Sequence, residues 1–136
     1  MTIVFDTNII LDALLERRPF CDDAERLLVA CVNEHVGCIT ANSLTDIFYV
    51  LSKAIGALSA KQAVRKLAEL LEIITICEDC CIQALELPID DFEDALVSIC
   101  ASKRGADYIV SRDKDFLSVM DIVPVVAPDS LLKQLS

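Results

Sequence analysis

Apolar residues fall along this chain in two alternating patterns. Short unbroken runs at 2–5, 36–40, 73–77, 108–110 and 122–126 read as β-strands, the last weakened by Pro124. Between them, apolar positions recur at helical spacing. Ile9, Ile10, Ala13 and Leu14 mark a helix over 7–16, which Arg17-Arg18-Pro19 breaks. Ala24, Leu27, Leu28 and Cys31 mark a second over 20–34. Leu44, Ile47, Phe48 and Leu51 mark a third over 42–55, stopped near Gly56. Ser59 is a good N-cap for a helix through Glu72. A short helix over 79–86 runs up to Pro88. Asp90 or Asp91 caps another that runs to Arg104 and stops at Gly105. Pro128 opens a last short helix containing Leu131-Leu132.

Strands and helices that alternate from end to end imply an α/β fold. The strands are short and wholly apolar, as strands buried on both faces are. The prediction is a three-layer α/β/α sandwich with a central parallel sheet of about five strands. At 136 residues the chain suits one domain, spanning 1–136, and no linker or repeat interrupts it. Ligands of such sheets bind beyond the carboxyl ends of the strands. The first strand ends at Asp6, and the fourth runs into Ser111-Arg112-Asp113-Lys114-Asp115-Phe116.

Charge then narrows the function. Twenty-two acids against 12 bases give a net charge of −10, a field that repels nucleic acid. Either the partner is not nucleic acid, or the acids gather at a metal site that reverses the local sign. No apolar run approaches the roughly 20 residues of a membrane span. No basic leader precedes Met1-Thr2-Ile3, so a cytoplasmic location is expected and a membrane partner is not. The seven cysteines are odd in number and read as reduced thiols. Cys77, Cys80 and Cys81 form one cluster, but no second pair exists and His35, placed in the second helix, is the only histidine, so zinc is not expected.

The acids carry the candidate chemistry. Asp6 either N-caps the first helix or points off the sheet edge as a ligand. Asp46 lies early in the third helix, where the helix dipole favours acids. Asp94 occupies an N3-like position beside small or apolar Val97, Ser98 and Ala101. Asp113 and Asp115 follow the fourth strand, where Asp also shapes turns. Asp12 reads as a solvated polar-face residue. Taken together, Asp6, Asp46, Asp94 and Asp113 converge on one edge of the sheet. Carboxylates gathered there repel one another, and a hard divalent cation removes the conflict. Mg²⁺ or Mn²⁺ suits an all-oxygen donor set.

These segments resemble a known family. Val4-Phe5-Asp6-Thr7-Asn8-Ile9-Ile10-Leu11-Asp12 is similar to the opening motif of PIN domains. Asp91-Phe92-Glu93-Asp94-Ala95-Leu96 and the run from Ala106 to Phe116 resemble their third and fourth acidic motifs. The resemblance implies a metal-dependent ribonuclease, often the toxin of a VapC-type toxin–antitoxin pair. It implies that Asp6, Asp94 and Asp113 serve as the family's first, third and fourth acids, with Asp115 as a further metal ligand. Asp46 stands where the family usually has Glu, one methylene longer. Asn8, Ser43 and Ser111 are the supporting polar residues. Lys53, Lys103, Arg104, Arg112 and Lys114 are candidate phosphate contacts, or else ordinary solvated ends.

The expected partners are an RNA substrate, a cognate antitoxin and a second copy of the chain in a homodimer. Two rival classes bear on the same residues. A haloacid-dehalogenase-type phosphatase needs Asp-x-Asp, whereas this chain has Asp6-Thr7-Asn8, and a receiver domain needs paired acids and a later Lys. The other rival is a PIN-like module that binds RNA or protein without hydrolysis.

Overall fold

The computed structural model describes residues 1–117 and 122–135. Among these, five strands form one parallel sheet: β1 (Thr2–Phe5), β2 (Val36–Thr40), β3 (Glu72–Ile74), β4 (Tyr108–Val110) and β5 (Val125–Val126). Their spatial order is β3-β2-β1-β4-β5. The helices are α1 (Thr7–Leu14), α2 (Cys21–Asn33), α3 (Ala41–Ile55), α4 (Ala57–Leu70), α5 (Glu78–Glu86), α6 (Phe92–Arg104), α7 (Lys114–Leu117) and α8 (Pro128–Leu135).

Strand alternation builds the two faces. Ile3, Phe5, Ile39 and Val110 project to one side, into a core shared with Ile9 and Ile10 of α1, Leu27 of α2, Ile47 and Leu51 of α3, Leu67 of α4 and Leu131 of α8. Val4, Cys38, Ile74 and Ile109 project to the other, against Cys80 and Ala84 of α5, Ala95 to Ala101 of α6 and Phe116 of α7. The protein is therefore the expected three-layer α/β/α sandwich. Each fully buried Ile, Val or Phe contributes roughly 1.5–3 kcal/mol through burial, so the sheet is pinned from both sides.

The topology also selects an edge. From β1 the chain steps outward through β2 to β3, then returns to the opposite side of β1 for β4 and β5. The direction of winding reverses between β1 and β2 on one side and β4 on the other, which is the switch point where such sheets open a crevice. Asp6 lies directly after β1, its backbone N–H donating to the Val110 carbonyl at 3.0 Å. Ser111 to Asp113 lie directly after β4. Both polar segments are thus delivered to the same crevice.

Several boundaries differ from those expected. The third strand covers 72–74 rather than 73–77, because β2 ends at Thr40, paired with Ile74, and offers no partner beyond it. The fifth shrinks to two residues, since Ile109 and Val110 of the short β4 are its paired partners. Helix α4 begins at Ala57, so Ser59 lies within it and is not its cap. Gly56 makes that possible: at φ 88° it turns the chain sharply, its N–H closing α3 on Ser52 and its carbonyl accepting from Ala60. His35 lies beyond the end of α2, with Nδ1 3.1 Å from the amino terminus. Gly37 answers a different need, since a Cβ there would stand 2.7 Å from Leu71 Cδ2 and 3.1 Å from Cys31 Cβ. Among the described residues no helix is long and apolar enough to cross a membrane.

Candidate active site

Asp6 sits where β1 becomes α1, and its two carboxylate oxygens are engaged on opposite sides. Oδ1 accepts the Thr7 N–H at 2.9 Å and caps α1. Oδ2 faces the other way and accepts Ser111 Oγ at 2.6 Å and Asn8 Nδ2 at 3.3 Å. The carboxylate is 7% exposed. Burial pushes its pKa up; the Ser111 and Thr7 hydrogen bonds pull it down, while the nearby charges of Asp113 and Asp91 push it up again. Ser111 is held between the two acids, because its Oγ also accepts the Asp113 N–H at 3.1 Å. Asp113 Oδ1 in turn accepts the Asp115 N–H at 3.0 Å, which starts α7. Asp115 itself is exposed.

The first turn of α6 brings the next acids. Asp91 is its N-cap, accepting the Asp94 N–H at 3.0 Å. The cap is thus Asp91, and Asp94 at N3 is left with a side chain that is 9% exposed. Glu93, which sequence reasoning passed over, faces Asp46 of α3. Burial raises the Glu93 pKa to about 7, helped by a hydrogen bond to Asp46 and by the charges of Asp46, Asp6 and Asp91. The run Asp91-x-Glu93-Asp94 was visible as an acidic helix start; only packing of α6 against the crevice shows which acid reaches Asp46.

Glu93 sets a pH dependence. Its folded pKa of about 7 lies above the ordinary 4.5, so the folded protein holds this proton more tightly than the unfolded chain. Metal-free stability from this group is therefore highest below pH 4.5 and falls as pH rises to about 7, and Asp6 adds a trend of the same sign. Thermal melts of chelator-treated protein across this window should show the fall, and Glu93→Gln should flatten it; an unchanged slope in the variant would remove Glu93 from the pair.

Other expected site residues lie apart from the acids or are engaged elsewhere. Ser43 is buried, its hydroxyl 2.8 Å from that of Thr40. Asp12 is not solvated: it is 1% exposed and bound by Arg112, with Nε donating to Oδ2 at 2.6 Å and a terminal guanidinium nitrogen donating to Oδ1 at 3.0 Å. Arg17 adds a 3.8 Å ion pair. The position faces inward because Arg112, folding back from the end of β4, supplies the charge that makes its burial tolerable. Arg112 also stacks on Phe20, 4.1 Å from the ring centroid. Lys103 and Arg104 stand in the last turn of α6, the end opposite Asp94, paired to Asp79 at 3.0 Å and Glu72 at 2.7 Å. Lys53 lies over the Tyr49 ring, and Lys114 is exposed at the start of α7.

The donor set suits a hard cation. The acids around the crevice present only oxygen, and buried oxygens of Thr7, Asn8 and Asn42 have no hydrogen-bond partner among the described residues. Among those residues no three acids are already gathered into a metal cage. An all-oxygen donor set of this kind would suit an ion such as Mg²⁺, which takes one or two carboxylates directly and keeps most of its waters.

Comparison with known proteins agrees with this architecture. The chain is 32% identical over 124 residues to ribonuclease VapC1 of Aquifex aeolicus, covering 85% of this chain and 84% of that one. Its fold matches VapC20 of Mycobacterium tuberculosis, described as a toxin that cleaves the sarcin–ricin loop, with TM-score 0.73 and 20% identity over 88% of this chain and 96% of that one. VapBC2 of Rickettsia felis, solved bound to a DNA fragment from its promoter, matches with TM-score 0.72 and 20% identity over 93% and 98% of the two chains. The family model described as PIN domain matches residues 2–115. With that match spanning both strand-end acids and the acidic start of α6, the chain belongs to the PIN domain family.

Proposed function

We propose that this protein is a metal-dependent endoribonuclease that hydrolyses phosphodiester bonds of RNA and acts as the toxin of a toxin–antitoxin pair. The observation that carries the reading is the crevice at the β1/β4 switch point, where buried Asp6 faces Asp113 through Ser111 and α6 presents Glu93 and Asp94. Similarity to a ribonuclease over most of the chain supports the same activity. Asp6, Asp94 and Asp113 would hold Mg²⁺ or Mn²⁺, with Asp115 at the rim. A bound ion would offset the crowded negative charge and make a coordinated water acidic enough to attack phosphorus near neutral pH. Ser111 and Asn8 fix the direction of Asp6 Oδ2. Glu93, its pKa raised to about 7 chiefly by burial, would give this site a carboxyl able to exchange a proton with water. Lys114, exposed beside Asp113, would meet a phosphate. Purified protein given single-stranded RNA should cleave it with Mn²⁺ and stop when EDTA is added. Binding without cleavage would favour the non-hydrolytic module, and cleavage indifferent to EDTA would overturn the metal assignment.

An antitoxin partner is part of this reading, since several similar folds were solved as toxin–antitoxin complexes. An apolar groove of about 540 Å³ runs between α1, α2 and α4, lined by Leu14, Leu28, Val29, Val32, Leu67 and Leu70. Val29 is 59% exposed and Val32 50%, an uncommon placement for such residues on a free surface. The groove suits an apolar helix face of the antitoxin. Val32→Asp should weaken capture of the co-expressed cognate antitoxin by tenfold or more while RNA cleavage persists, because one buried charge in such a contact costs several kcal/mol. Exposed Tyr49, Ile55 and Leu58 along α3 and α4 suit a second copy of the chain, which sedimentation of the purified protein would reveal.

A further inference from the structure

The edge of the sheet opposite the acids carries chemistry that the nuclease reading does not use. Cys77 is the N-cap of α5 and is exposed; Cys80, one turn on, is buried beneath it. Their sulfurs stand 3.2 Å apart. Both line a pocket of about 320 Å³ that also includes Cys100, Glu72, Lys103 and Arg104. All seven cysteines are free thiols. A disulfide requires sulfurs about 2.05 Å apart and Cα atoms about 4.4–6.8 Å apart, a span that residues three apart at a helix start satisfy. Closing the pair therefore asks for a small side-chain rotation and no backbone rearrangement.

We propose that Cys77 and Cys80 form a thiol–disulfide exchange site that reacts with low-molecular-weight disulfides. Exposed Cys77 meets the reagent first. Its thiolate attacks one sulfur of the disulfide, forming a mixed disulfide on Cys77 and expelling one thiolate. Cys80 then attacks Cys77 Sγ, forming the Cys77–Cys80 bond and expelling the second thiolate. Two protein thiols lose two electrons and two protons; the reagent disulfide takes up both as two thiols.

The surroundings favour the second step. The Cys80 pKa is lowered, first by a hydrogen bond with the Cys77 backbone, against an opposing effect of burial, and further by the Cys77 thiol and the charge of Lys103. More thiolate at Cys80 means faster resolution. Cys100, the third thiol at the pocket, has its pKa pushed up to about 12, chiefly by burial, so it stays protonated and does not compete. Lys103 and Arg104 line the pocket and are paired with Asp79 and Glu72.

The test uses the whole reduced chain and oxidised glutathione, with an acid quench, alkylation of remaining thiols and peptide mapping. The expected result is a loss of two alkylatable thiols per chain, mapped to a Cys77–Cys80 bond and reversed by dithiothreitol. Cys80→Ser, and Cys80→Ala as a second variant, should stop at a glutathione adduct on Cys77, and Cys77→Ser should give neither product at these two positions. A stable adduct on Cys77 in the unaltered chain, a bond from Cys80 to Cys100, or full retention of both thiols would each overturn the assignment. The readout is independent of RNA cleavage.

Discussion

Replacing Asp94 by Asn is expected to reduce Mn²⁺-dependent RNA cleavage by about 10²–10³-fold or more while leaving the fold intact. The side chain is nearly buried in the first turn of α6, next to Glu93 and three residues from Asp91. Asn keeps its volume and one carbonyl oxygen but not the carboxylate, so on the proposed reading a cation would lose a ligand. Stability should not fall with it. The helix is capped by Asp91 through the Asp94 backbone N–H, a contact that the substitution leaves in place. Removing one charge from a crevice where burial and neighbouring acids already push Asp6 and Glu93 upward also relieves repulsion. The melting temperature should be unchanged or higher by a few degrees. Cleavage and melting measured on one preparation separate the cases: an active variant would take Asp94 out of the site, whereas an inactive variant that melts far lower would make its role structural.

The second large effect is on stability. Asp12→Ala should destabilise the protein by roughly 2–3 kcal/mol, less than loss of a fully buried pair because the Arg112 side chain is 33% exposed. Asp12 is the acceptor for both donors of the Arg112 fork and also pairs with Arg17. Without it, Arg112 keeps its stacking on Phe20 but loses its counter-charge, and the segment joining β4 to Asp113 loses an anchor to α1. Cleavage should fall as well, through misplacement of Asp113 rather than loss of a ligand. Urea unfolding gives the stability change. The companion Arg112→Met, which removes the unpaired cation, should recover part of the stability when combined with Asp12→Ala; equal stability of Asp12→Ala and the unaltered chain would show the pair to be idle.

Much of this was legible from local pattern. Runs such as Ile3-Val4-Phe5 and Ile109-Val110 are wholly apolar because they are buried on both faces, and a period-two residue on either face meets a helix. The helical spacing in 20–34 and 42–55 is long enough for its period to be unambiguous. The alternation of the two kinds of element already demanded a parallel sheet, and a parallel sheet already placed Asp6 and Asp113 on one edge. Acidic residues after β1, after β4 and at the start of α6 are local facts of sequence, as are the family motifs that contain them.

Other features arose from contacts between residues distant in the chain. Where β3 and β5 end depended on their neighbours, since a strand lasts only while its partner supplies hydrogen bonds: β2 ends at Thr40, which pairs with Ile74. Asp12 looked solvated because nothing within its own helix neutralises it; its partner arrives 100 residues later. Glu93 looked like one more acid at a helix start until α6 packed it against Asp46, where burial and a shared hydrogen bond hold its proton. Lys103 and Arg104 are close in sequence to the last acidic motif yet stand at the far end of a 13-residue helix, bound to Asp79 and Glu72. The sequence by itself determined the layers and the edge that bears the acids, because hydrophobic period and strand direction are local. Only the tertiary structure decided which charges meet, because the energy of a charge depends on what lies within a few ångströms of it and not on its place in the chain.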